Sequence, residues 1–152
     1  MSVINQKDFE LDAVLQKPLV AHLSTVEVDE PRDSPVWFIW EDESVWIFGT
    51  SKDSFVKRLK QEPRCALGVV DFDLDKGVLR HVGIRGTSQV GNVDHSRLVR
   101  FVSKYLGGDQ EMWNEWFVKN VVDPIDVMVR ITPKSIVAKD VSFFKTGPGF
   151  AD

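Results

Sequence analysis

The chain has a single cysteine, Cys65, among its 152 residues, so no internal disulfide can form and a disulfide-stapled scaffold is excluded. No apolar run approaches the ~20 residues needed to cross a bilayer, so any membrane contact is expected to be peripheral. Positive charge is not in excess either. The 19 lysines and arginines against 23 aspartates and glutamates leave a net −4, with a calculated pI of about 5.4. Nonspecific nucleic-acid binding needs a broad basic face to displace condensed counterions, so no nucleic-acid partner is expected. Neither a GxGxxG nor a Walker pattern occurs. The three histidines and Cys65 lack metal-ligand spacing, and no metal is expected. The first residues show no basic region leading into an apolar run and cleavage site. Together with the lone thiol, this makes a reducing cytoplasm the expected location.

What is present is enough apolar material for one core. At 43% hydrophobic over 152 residues, a single domain spanning 1–152 is expected, with "KTGPGFAD", and 145–152 in particular, as a loose tail. Lys7 to Leu15 reads as a short leading helix. "PLVAHLSTVEV" alternates as a strand, followed by a turn in the charged "EVDEPRD". "SPVWFIW" and "SVWIFGT" read as a hairpin joined at Glu41 to Glu43. Further strands are expected at "CALGVVDFD", at "GVLRHVGIRGTSQVG" with Gly83 and Gly86 as bulge candidates, and at "DVMVRITPKSIVAKDV". Asp94 can cap a helix whose Leu98, Phe101, Val102 and Tyr105 form one apolar face. After Gly107 and Gly108, a second helix from Asp109 to near Pro124 is expected to bury Met112, Trp113, Trp116 and Phe117. Six strands with added helices make a mainly β, mainly antiparallel barrel.

The segment "IFGTSKDSFVKRLKQEPR", Ile47 to Arg64, concentrates cations in an acidic chain. Lys52, Lys57, Arg58, Lys60 and Arg64 against Asp53 and Glu62 give five minus two, or +3. Thr50, Ser51 and Ser54 put hydroxyls at the expected start of a helix carrying Phe55, Val56 and Leu59. Unpaired amides and partial positive charge there would welcome a phosphate beside Lys52. The alternative is a solvated amphipathic helix that Ser51 or Asp53 merely caps.

The ordered series from "PLVAHLSTVEV" through "SPVWF", the hydroxyl-rich turn, the basic helix and the "PR" turn, then "LRHVGIRGTSQV" and "VRITPKSIVAKD", resembles the pyridoxamine 5′-phosphate oxidase-like, FMN-binding split-barrel family. The resemblance implies a homodimeric, six-stranded antiparallel Greek-key split barrel that binds FMN. By position it implies that Ser34, Pro35, Val36 and Trp37 line the isoalloxazine edge and that Thr50 and Ser51 hold the ribityl or phosphate end. Lys52, Ser54 and Lys57 would contact the phosphate, with Arg58 as an addition. Many relatives carry a lysine four positions before the helix leucine, where this chain has Phe55. His81, in "RHV" where relatives in the narrow sense have "RQV", is either a donor to the flavin edge or an ordinary sheet histidine.

The function implied is an FMN-dependent oxidoreductase acting on an unidentified small molecule, with the flavin performing hydride or electron transfer. The "RLHDR" segment of true pyridoxamine-phosphate oxidases is missing from the ending "IVAKDVSFFKTGPGFAD", so oxidation of that vitamin is not expected. Two other readings stay open: a deazaflavin-dependent reductase, and a non-catalytic flavin- or haem-binding stress protein. Trp37, Phe38, Trp40 and Trp46 on neighbouring strands exceed what one core should need, which adds to the case for a homodimer.

Overall fold

The structure, a computed structural model, describes residues 4–143; the tail expected over 145–152 lies outside them. The chain opens with β1 (Ile4–Lys7) and the short helix α1 (Leu11–Leu15), not with a helix from Lys7. Glu10 is extended at the helix start, and Asp8 N–H still donates to Ala138 O at 2.9 Å, so strand pairing holds this stretch out of a helix.

Seven strands follow one another in a single path, where the sequence pattern implies six. They are β2 (Ala21–Glu27), β3 (Glu30–Val36), β4 (Ile39–Glu41), β5 (Ser44–Gly49), β6 (Arg64–Asp73), β7 (Val78–Gly91) and β8 (Val127–Asp140), ordered β3-β2-β6-β7-β8-β5-β4. The additional strand arises because "SPVWFIW" breaks at Trp37–Phe38 into the end of β3 and the first two residues of β4. Every pairing along the path is antiparallel, and β1 adds in parallel beside β8. The sheet is therefore not closed. Its two edges, β3 and β4, are consecutive in the chain and joined across the split by Trp37 and Phe38.

Turn chemistry fixes the hairpins. Val28 and Asp29, at φ +46° and +64°, form a two-residue β2–β3 turn, and Asp42 and Glu43, at +53° and +52°, form the β4–β5 turn. Paired positive φ values match the right-handed strand twist. Because β3 pairs on one side only, it tolerates Pro31 and Pro35, which cannot donate to a ladder. This moves the strand start to Glu30, inside the segment expected to turn. Gly86 sits at the β7–β8 register shift, where an added Cβ would lie 2.4 Å from Thr132 O. Gly83 has open space instead.

Leu23, Leu67, Val82, Ile84, Ile131 and Phe38 fill the barrel, plugged by Leu11, Val14 and Leu15 of α1. The second core lies outside β4 and β5. There Ile39, Trp46 and Phe48 meet Phe101 and Val102 of α3 (His95–Leu106), a helix capped by Asp94 through Ser96 N–H and ended by Gly107 at φ +98°. Arg97 and Arg100 pin α3 to Glu41, and Arg97 also stacks 3.6 Å above Trp46. The single helix expected after Asp109 is instead a 3₁₀ turn at Gln110–Met112, α4 (Glu115–Phe117) and a π-helical turn at Val118–Val122. Trp113 is extended between separate caps by Asp109 and Asn114, so the apolar spacing never falls on one face. Met112 and Trp116 are left 78% and 68% exposed.

Two adjacent residues of α3 hold the split together. Tyr105 Oη accepts from Phe38 N–H at 3.0 Å and donates to Leu19 O at 2.7 Å. Lys104 Nζ donates to Leu15 O and Phe38 O, each at 2.8 Å. Burial pushes the Lys104 ammonium down to about 8 and the Tyr105 phenol up to about 12.

Candidate functional site

Strand β5 ends at Gly49 and the chain turns through Thr50 to Asp53 into α2 (Ser54–Gln61). A side chain at Gly49 would meet the Phe55 ring at 2.9 Å and Asp53 Oδ2 at 2.8 Å, so glycine is required by close approach. Asp53 occupies the N-cap position without capping α2: its Oδ2 accepts from Thr50 N–H at 2.9 Å. Ser51 is held from the other side, its N–H donating to Asp126 Oδ1 at 2.8 Å and its hydroxyl to Asp126 Oδ2 at 3.1 Å. Neither Ser51 nor Asp53 caps the helix, and the first turn of α2 has no side-chain acceptor. Lys52, Ser54 and Lys57 are exposed around it, and among the described residues neither lysine has a hydrogen bond or ion pair.

Arg58 points away from this surface. It is buried at 9% exposure, with Nε donating to Thr25 Oγ1 at 2.7 Å and an Nη to Ser34 Oγ at 3.0 Å. That contact brings Ser34 of β3 to the inner side of α2. Strand alternation turns Pro35 to the outer face opposite His22, and Val36 inward opposite the buried Ala21. Trp37 is engaged by the helices: its ring stacks on Tyr105 at 4.3 Å and on Phe117 at 5.2 Å. Phe38, Trp40 and Trp46 are likewise buried within the chain, at 0%, 8% and 6% exposure. The reasoning from surplus aromatics to a dimer surface is therefore corrected, because the chain's own barrel and α3 cover them.

His81 lies elsewhere. Gly91 of β7 pairs with Met128, close to Asp126 and the Thr50 turn, whereas His81 pairs with Val70 and Lys139 ten positions earlier. At ~3.3 Å per residue this is roughly 30 Å along the strand. Within one chain His81 does not join the turn. It stands instead on the outward face of β6 and β7, beside Val70, Phe72 and the Gly68–Gly83 pair. Val70 is 51% and Phe72 55% exposed there.

This architecture recurs among solved structures. A conserved hypothetical protein from Mycobacterium tuberculosis superimposes with a TM-score of 0.70 at 19% identity, over 99% of this chain and 98% of its own. An F420 reductase matches at 0.64 and 22% identity, over 82% and 94%. A FAD-binding protein from Mesorhizobium loti matches at 0.64 and 15%, over 90% and 96%. The chain has the pyridoxamine 5′-phosphate oxidase-like split-barrel fold. No family model and no curated protein matches its sequence.

In this split barrel the residues picked out by sequence divide into two groups at the turn. Lys52, Ser54, Lys57 and the uncapped amides form a cationic, donor-rich surface that fits a phosphate. Thr50 and Ser51 fit one poorly, because their amides and the Ser51 hydroxyl already serve carboxylates. Asp126 is the residue that sequence reasoning missed. It lies 75 positions from Ser51, and only the pairing of Gly49 with Val127 at the β5 and β8 ends brings the two together. A groove of about 880 Å³ lies at the opposite end of β5. Glu10, Trp40, Glu43 and Arg130 line it, and it contains none of the predicted residues. Among the described residues no cluster of three or more metal-ligating side chains occurs, and no helix is long and apolar enough to cross a membrane. Burial pushes the Cys65 thiol up to about 12, which keeps it protonated and poorly nucleophilic.

Proposed function

We propose that the chain is a flavin-binding oxidoreductase whose cofactor is FMN. The observation that carries this reading is the uncapped first turn of α2 flanked by the unpartnered Lys52 and Lys57, at the end of a split-barrel strand. The likenesses to an F420 reductase and a FAD-binding protein support it at the level of fold. Bound flavin supplies hydride or electron transfer, exchanged between a reduced nicotinamide or other donor and a small molecule. The chain's own part is to seat the phosphate on Lys52, Ser54 and Lys57 and to hold Ser34 to Trp37 still. Arg58 and the Lys104–Tyr105 pair do the holding, from below and from the split. In this reading the protein works in a reducing cytoplasm as a homodimer through the outward face of β6 and the turn after it, where Val70, Phe72 and Leu74 are exposed. The second copy is then the source of any contact between His81 and the ring.

The test is a pair of titrations. Lys52→Ala and Lys57→Ala each remove a charge-assisted contact worth ~1.5–3 kcal/mol, so FMN should weaken roughly ten- to hundred-fold. Riboflavin, which lacks the phosphate, should be nearly unaffected. Unchanged FMN affinity in the double variant would reduce the basic helix to a solvated face. Oxidoreductase function requires further that a reduced nicotinamide bleach the bound flavin; a yellow protein inert to reductants is a storage or stress protein. The F420-reductase likeness keeps a deazaflavin as the second reading, decided by which cofactor binds more tightly.

A further inference from the structure

Asp126 occupies with both carboxylate oxygens the donors that an incoming phosphate would seek at Ser51, one on the amide and one on the hydroxyl. Asp53 does the same at the Thr50 amide. The side of the turn nearest the barrel is thus neutralised by the chain's own acids, while Lys52, Ser54 and Lys57 remain open on the side nearest the helix. The asymmetry has a chemical consequence. A carboxylate accepts hydrogen bonds and repels a phosphate, so it welcomes ligand hydroxyls and opposes a second anion.

We infer that Asp126 is a specificity-determining residue of the turn, weighting binding toward the hydroxyl-bearing chain of a flavin and against its terminal phosphate. The inference rests on the flavin reading above. The negative charge of Asp126 lowers the preference for FMN over riboflavin, and the Ser51 contacts fix its position. The backbone at Asp126 is anchored besides by its own N–H, which donates to Gly49 O at 3.1 Å, so position 126 stays at the turn when the side chain is changed conservatively. Asp126 carries one negative charge and a phosphate nearly two, so the two repel each other across the turn. Removing the charge should therefore alter FMN affinity by about tenfold or somewhat more.

The experiment compares Asp126→Asn, which keeps the acceptor oxygen and removes the charge, with Asp126→Glu, which keeps the charge. FMN and riboflavin are titrated into each full-length variant and into the unaltered protein. The expected result is that Asp126→Asn binds FMN about tenfold more tightly with riboflavin within about twofold, while Asp126→Glu shows no tightening for FMN. A merely structural role would move both flavins together, or both variants together, and either result overturns the assignment. If flavins bind and Asp126→Asn leaves the FMN-to-riboflavin ratio unchanged, this inference alone falls. If no variant binds either flavin, the flavin reading falls and takes the inference with it.

Discussion

Replacing Arg58 by methionine separates an architectural guanidinium from a ligand-binding one. Arg58 makes two charge-assisted hydrogen bonds, to Thr25 and Ser34, at 2.7 and 3.0 Å. At ~1.5–3 kcal/mol each their gross value is ~3–6 kcal/mol, and the Thr25 hydroxyl, 1% exposed, would lose its partner. Against this stands the burial of a cation for which no carboxylate contact occurs among the described residues, a cost of several kcal/mol that methionine removes while filling similar space. The difference leaves Arg58→Met destabilised by about 2 kcal/mol. For a domain of this size that is a drop of roughly 4–8 °C in Tm. Urea unfolding measures it directly, and the m-value should not change. FMN titration of the same variant supplies the second half, with an affinity loss under about threefold against ten- to hundred-fold for Lys57→Ala. A variant as stable as the parent, or one that keeps its stability and loses FMN tenfold, would refute an inward, architectural Arg58.

Gly86→Ala places a methyl group 2.4 Å from Thr132 O at the β7–β8 bulge and should cost ~1–3 kcal/mol in urea unfolding, whereas Gly83→Ala, in open space, should cost under ~1. Lys104, depressed to about 8 from an ordinary 10.5, binds fewer protons folded than unfolded between those values. Stability should therefore rise with pH from about 8 toward 10 relative to Lys104→Met. Tyr105 works in the opposite direction: raised to about 12 from 10, it stays protonated while the unfolded chain ionises, so stability should fall above pH 10, a fall missing from Tyr105→Phe. Phe72→Lys, on the exposed β6 face, should leave a monomer of 17.3 kDa by light scattering if that face joins two copies.

Strands with alternating burial were readable wherever two faces differ. His22, Ser24 and Val26 against Ala21, Leu23 and Thr25 is such a case, and Asp94 with Gly107 marked α3 at both ends. The break at Trp37–Phe38 was not readable, because the run stays apolar through it; a hydroxyl and an ammonium from α3, more than 65 positions away, hold the chain there. The segment from Asp109 to Val122 misled for the reverse reason. Its aromatics have helical spacing, but Asp109 and Asn114 each start their own short turn and the register is lost between them. At the candidate site, the cations and hydroxyls were legible as residue types. Their division into open and occupied donors was not, since Asp126 arrives from the far end of the chain. Arg58 looked like its neighbours Lys57 and Lys60 in sequence, and only the 3.6-residue turn decides that it alone faces Thr25.

The Phe38 amide is held by a phenol on α3 and not by a carbonyl of an adjoining strand. Amides in a ladder become free to exchange with solvent only when their strands part, but this one is freed as soon as α3 lifts. Exchange at Phe38 thus clocks the undocking of a helix, independent of sheet unfolding. The seam of the barrel behaves as a latch: it opens at the cost of the side-chain bonds of α3, the stacking of Trp37 and the contacts of Phe101 and Val102 with Ile39, Trp46 and Phe48, with the ladders on either side left intact.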